Sequence, residues 1–177
     1  MVVFTHCSPT SSYVFFCYLS SVSPPSQSIT DVIKIKKNTL ASISPYLSKP
    51  DEQGAKMIGG IGKWDFDLFA VDEMSGGKAL VVVGTVLFNE HDLLSVFKIK
   101  PIVLENFLQA VSDAYIADNT YHNALHGADV TQTLHYFVQS GGMAQYMNQE
   151  MLFTSIVAAL IHDCGHPGVN NAFLVKT

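Results

Sequence analysis

The chain has 177 residues, 48% of them apolar, with 10 Lys+Arg against 15 Asp+Glu and a formal charge of −5. That length holds about one ordinary domain or a domain with a tail, and the apolar share is enough for a core. The acidic balance argues against a nucleic-acid partner, since phosphate binding relies on clustered cations and only Lys34, Lys36 and Lys37 form a small patch.

Cys7, Cys17 and Cys164 make an odd set without paired spacing, so a disulfide scaffold is not expected and a reducing, cytoplasmic setting is. The first residues lack a basic start, and serines interrupt their apolar run, so no signal peptide is read there. A membrane span needs about 20 apolar residues. The run ALVVVGTVLF at 79–88 is too short to be one.

Residues 1–50 are rich in Ser, Pro and Thr and read as a low-complexity, disordered leader, with a domain over 51–177. From Trp64 onward, WDFDLFAVDEMSGGKAL mixes large apolar residues with turn signals, and Gly76-Gly77 marks a turn. In residues 79–99, Val81 to Val83 favour a strand by propensity. Leu80, Val83, Leu87, Leu93, Leu94 and Phe97 recur near helical spacing, and helix is the preferred reading. Pro101 suits a first helical position, and Leu104, Phe107, Leu108, Val111 and Tyr115 follow on one face. A third helix is predicted from Tyr121 to Gln139, ending at Gly141-Gly142. A fourth, Gln149 to His162, carries MLFTSIVAALI, is apolar on nearly every face, and is expected at the centre of a bundle. Gly165, Pro167 and Gly168 then break the helix. The expected fold class is all-α, a helical bundle.

Two stretches carry chemistry. In YHNALHGADV, His122, His126 and Asp129 fall on one face if the stretch is helical. In HDCGH, His162 and Asp163 are adjacent and His166 follows at i+4. Placing a carboxylate and imidazoles beside an apolar helix is costly without compensation, and a divalent ion bound by His nitrogen and Asp oxygen compensates. An adjacent His-Asp pair suits a two-metal site, because a carboxylate can bridge two ions. Alone, the first pair is a polar stripe and the HD dipeptide carries almost no information. Together, 36 residues apart from His126 to His162, they are far more specific. Cys164 reads as a small packed residue, and His6, His91 and His135 as surface or core histidines without a partner motif. Asn171 reads either as ordering its loop or as plain surface.

YHNALHGADV followed by HDCGHPGVNNAF resembles the signature pair of the class I 3′,5′-cyclic nucleotide phosphodiesterases, YHNxxHxxDV then HDxxHPGxxNxF. The stretch from Trp64 and YIADNTYHN are also similar to the way that catalytic domain begins. The resemblance implies an all-α domain of the HD type, of which 51–177 would be the N-terminal part. It implies His122 as the general acid protonating the leaving O3′, and His126, His162 and Asp163 as metal ligands, Asp163 bridging both ions. His166 would hold a water, Asp129 would orient a helix or imidazole, and Tyr121, with His122 and Asp163, would line the nucleotide pocket. The implied cofactors are two divalent ions, Zn and Mg (or Mn). The implied substrate is cAMP or cGMP, hydrolysed to the 5′-monophosphate in signal transduction.

Against the family pattern, Gly127 and Gly165 replace no ligand. The chain stops at Thr177, just past the second motif, so the family's further metal aspartate, its purine-clamping glutamine and its base-sandwiching residues would lie beyond it. The chain alone is therefore expected to turn over weakly or not at all. A truncated, non-catalytic fragment that binds metal or a partner stays open beside the enzyme reading. Another HD-type metal phosphohydrolase fits His162-Asp163 but not the YHN motif.

Overall fold

The computed structural model describes residues 37–47 and 52–176, and among them every regular element is helical. In chain order these are α1 (Lys37–Ile43) with a 3-10 turn at Ser44–Tyr46, α2 (Glu52–Ile58), α3 (Leu68–Met74), α4 (Ala79–Glu90) and α5 (Leu93–Val96). They continue with α6 (Pro101–Ala114), α7 (Ala124–Gln139), a 3-10 turn at Met143–Tyr146, α8 (Gln149–Ile161) and α9 (Asn171–Lys176). No helix among the described residues is long and apolar enough to cross a membrane.

The core is built around α4. Every residue from Ala79 to Phe88 is buried, because α1, α3, α6, α7 and α8 all pack against this one helix. The strand propensity of Val81 to Val83 is overridden by that enclosure, which rewards an apolar surface on all sides. Residues 79–99 do not form one helix: Asp92 sits in the left-handed region at φ 56° and separates α4 from α5.

Helix α6 matches its sequence signal, with Pro101 in the first turn and Leu104, Leu108 and Val111 buried on one face. Helix α7 starts at Ala124 rather than at Tyr121. Asn123 supplies the cap, its side chain accepting from His126 N at 3.2 Å, so the chain before it is not helical. Helix α8 ends at Ile161 with His162 as its C-cap, and it is not the central helix its composition implied. Leu152, Ile156, Ala159 and Leu160 are buried, while Met151 is 50% and Ile161 43% exposed. Its packing face docks through Phe153, whose ring lies 5.7 Å from Phe88 and 4.6 Å from Phe97.

Of the leader, residues 1–36 and 48–50 lie outside the described residues. Within the rest, α1 packs on α4 with Ile43 fully buried, and Thr39 Oγ1 donates to Glu90 at 3.2 Å. Tyr46 donates to Glu105 on α6, which ties the following turn to the bundle. The loop before α3 is held on α7 by Gln132, whose Nε2 donates to Ile61 O at 2.8 Å and Lys63 O at 2.9 Å. A cavity of about 130 Å³, lined by Tyr46, Thr85, Asn89, Leu94 and Glu105 among others, lies at the start of α6. The His/Asp cluster described below lies past the other end of that helix, about 20 Å away by helical rise.

His91 and His135, read as unrelated histidines, face each other across α4 and α7, Nε2 to Nδ1, at 3.0 Å. His135 is buried, its Nε2 finds no partner, and its pKa falls to about 4 through burial first and the His91 charge second.

Candidate metal centre

The centre forms where the ends of α6, α7 and α8 meet. Tyr115, the buried C-cap of α6, donates its hydroxyl to Leu160 O in the last turn of α8 at 3.0 Å. Gly127, one residue after His126, makes room for that ring: a Cβ there would sit 2.7 Å from the Tyr115 hydroxyl. Burial, ahead of every other influence, pushes the phenol up to about 12, so Tyr115 stays a neutral donor at any ordinary pH. Past α8 the chain turns through Asp163 to His166, and Gly165 N donates to Ala114 O at 3.0 Å, closing the turn onto α6.

Three side chains converge there. His126 Nε2 and His162 Nε2 are 3.2 Å apart, and Asp163 Oδ2 lies 3.3 Å from the first and 3.1 Å from the second. Ligand atoms about 2.0–2.1 Å from a common ion in tetrahedral geometry lie about 3.3 Å from one another. The three atoms therefore form a triangle of the size that one face of such a site requires, and a borderline N,N,O donor set suits a divalent ion. His162 Nδ1 lies 2.8 Å from Ala159 O. A carbonyl only accepts, so the proton sits on Nδ1 and the Nε2 lone pair faces the cluster. The pKa of His126 is lowered, chiefly by burial and then by the His162 charge, with Asp163 opposing. That favours the neutral imidazole a metal needs. By atom type, spacing and tautomer, these residues fit the ion that their sequence pattern implied.

The other residues singled out in the sequence fall around this triangle. His122 precedes α7, so it does not share a helical stripe with His126. Its Nε2 still lies 3.9 Å from Asp163 Oδ2, and its ring stacks on His166 at 3.8 Å with planes 19° apart. Tyr121, 64% exposed, sets its ring 4.8 Å from both His122 and His126 and walls one side. His166 adds no atom to the triangle; its Nδ1 accepts from Gly168 N at 3.0 Å. Asp129 is exposed and makes no hydrogen bond to an imidazole, acting on His126 only as the smallest of several charges. Cys164 turns its Sγ towards Val111 O, 3.9 Å away on α6, and takes no part in the cluster. The loop-ordering role considered for Asn171 is played by Asn170, whose Oδ1 accepts from Phe173 N at 2.9 Å.

Sequence reasoning passed over Asn119, Asn123 and Tyr115. A capping signal marks Asn123, an asparagine just before a helical run. Tyr115 was visible only as an apolar-face residue. Asn119, in an irregular loop, carried no local signal at all.

Residues 121–177 match the family model of the 3′5′-cyclic nucleotide phosphodiesterases. Over 118 residues, 66% of this chain and 17% of the relative, the chain is 40% identical to the dual specificity calcium/calmodulin-dependent 3′,5′-cyclic nucleotide phosphodiesterase 1C of Homo sapiens. It is 34% identical to the 3′,5′-cyclic-AMP phosphodiesterase 4 of Dictyostelium discoideum over 147 residues, 80% of the chain and 14% of the relative. It is 38% identical to the dual specificity calcium/calmodulin-dependent enzyme 1 of Drosophila melanogaster over 123 residues, 69% of the chain and 15% of the relative. The chain thus spans between 14% and 17% of the length of these curated relatives.

Proposed function

We propose that this chain, which carries part of a 3′,5′-cyclic nucleotide phosphodiesterase catalytic domain, supplies metal-holding and proton-donating groups for hydrolysis of cAMP or cGMP to the 5′-monophosphate in cytoplasmic signal transduction. His126, His162 and Asp163 would hold the first ion, their N,N,O donor set suiting zinc, and Asp163 would also serve a second, Mg or Mn. When bound, such ions lower the pKa of water towards about 7 and screen phosphoryl charge.

The chain's own residues do the rest. His122 holds its Nε2 3.9 Å from Asp163 Oδ2, and a proton donated from that nitrogen to the departing ester oxygen would convert a poor leaving group into an alcohol. A positioned acid of this kind contributes roughly 10²–10⁴-fold. Tyr121 offers an aromatic wall on which a purine or ribose can rest. His166, stacked on His122, limits the swing of the donor ring and would hold a water at the second ion.

The observation that carries this reading is the triangle of His126, His162 and Asp163 with His122 Nε2 at its edge. The test is a single-turnover assay with the purified chain in excess over cAMP or cGMP, in the presence of Zn and Mg. Slow formation of 5′-monophosphate is expected, abolished by a chelator and lowered roughly 10²–10⁴-fold in His122→Ala with metal binding retained. No product from metal-loaded chain would remove the reading that this chain by itself supports turnover. It would leave a metal-binding fragment that docks on a partner, which the exposed Met151, Ile161, Phe173 and Leu174 favour.

A further inference from the structure

We infer that Asn119 is a positioning residue whose side-chain amide locks the segment carrying His122 to the segment carrying His166. His122 lies ahead of the α7 cap, so no helical ladder holds its backbone. Asn119 takes over that task from the loop between α6 and α7. Its Oδ1 accepts from Tyr121 N at 3.2 Å and from His122 N at 3.1 Å. Its Nδ2 donates to His166 O at 3.2 Å, across 47 residues of sequence. Its backbone oxygen accepts from Asn123 Nδ2 at 3.0 Å, and Asn123 in turn caps α7 over His126. Gly168 lets the second segment come this close, since a Cβ there would sit 3.1 Å from Asn119 Nδ2.

Only a primary amide fits this place. One end must accept and the other donate, both uncharged; an aspartate accepts at both ends, and serine is a bond shorter. The product of the lock is the stack of His122 on His166 at 3.8 Å, which fixes where the His122 proton is presented. Asn119 touches none of the three triangle atoms, so its effect is on the donor and not on the ion.

The role assigned to His122 rests on the proposed phosphodiester chemistry; the lock itself does not, and the experiment separates the two. Asn119→Ala and Asn119→Asp are made in the full chain, and the histidine ring protons of each are read by NMR, where stacking gives ring-current shifts. Asn119→Ala should move the His122 and His166 signals together while His91 and His135 stay put. Asn119→Asp keeps the acceptor for Tyr121 N and His122 N but loses the donor, so its displacement should be centred on His166. Single-turnover rate should fall about 100-fold in Asn119→Ala, as expected for an acid displaced by about 1 Å, while metal affinity is unchanged. Unmoved His122 and His166 signals in both variants would overturn the inference. So would shifts of all four histidines in both variants, which would mark the amide as merely structural. If wild-type chain shows no turnover, the proposed reaction fails and the NMR result still decides the lock.

Discussion

Helices α4 and α8 are both written almost wholly in apolar residues, yet one is enclosed and the other is not. Around α4 the helices α1, α3, α6, α7 and α8 close, and ten consecutive residues, Ala79 to Phe88, are buried. Along α8 only Leu152, Ile156, Ala159 and Leu160, at helical spacing, are buried, Phe153 packs half-covered on Phe88 and Phe97, and Met151 and Ile161 stand out of the bundle. Apolar composition states how much surface a helix can bury; the neighbours decide how much it does bury. The half-covered helix is also the one that leads into His162 and Asp163, so these side chains emerge at the edge of the core rather than inside it.

The sharpest way to break this contrast is to remove the same kind of surface from each helix. Leu87→Ala on α4 should cost about 4 kcal/mol, the transfer term plus an unfilled cavity, in urea unfolding. Met151→Ala on α8 should stay within about 0.5 kcal/mol by the same measurement. Equal losses would show that α8 is as enclosed as α4.

Acid tests where α4 meets α7. The folded pKa of His135 is depressed to about 4, below the ordinary histidine value, so between the two the unfolded chain binds the extra proton. Its contribution is complete at neutral pH and is lost as pH falls from about 6.5 to about 4, amounting to roughly 3 kcal/mol at the lower end. His135→Leu should flatten that part of the stability–pH curve, as read by denaturant midpoints at successive pH values. An unchanged slope would mean that this histidine is not held neutral in the folded chain.

A smaller effect is expected at the start of α7. Asn123→Ala removes the cap over His126 N and should cost about 1 kcal/mol. Asn148→Ala, which removes the equivalent cap of α8 at Met151 N, should cost a similar amount, because capping is local and indifferent to how enclosed the helix is. A marked difference between the two would tie capping to burial after all.

What could be read in advance follows the range of the forces involved. The start of helix α6 and its buried face were legible, because Pro101 and the spacing of Leu104, Leu108 and Val111 are local signals. The triangle of His126, His162 and Asp163 was legible as two motifs, since histidines and an aspartate at short, regular spacing are a local pattern. The start of α7 was misplaced because His122, His126 and Asp129 fit a helical stripe, and the stripe hid the capping signal of Asn123 inside it. Asp129 consequently ended up outside the cluster, and His122 reached it from a loop. Helix α1 lay within a Ser/Pro-rich stretch, and only a tertiary contact, Ile43 on α4, makes its burial evident. Asn119 and the His91–His135 pair were illegible for the same reason, each being a contact between segments far apart in sequence.

His126, His162 and Asp163 are proposed above all to hold a divalent ion. Titration of the full chain with Zn or with Co as a spectroscopic substitute, beside His162→Ala, tests it most directly. Saturable binding to wild type, a cobalt spectrum of nitrogen and oxygen donors, and an affinity lower by about 100-fold or more in His162→Ala are expected. Equal affinity in the two proteins, or no binding to either, would contradict it.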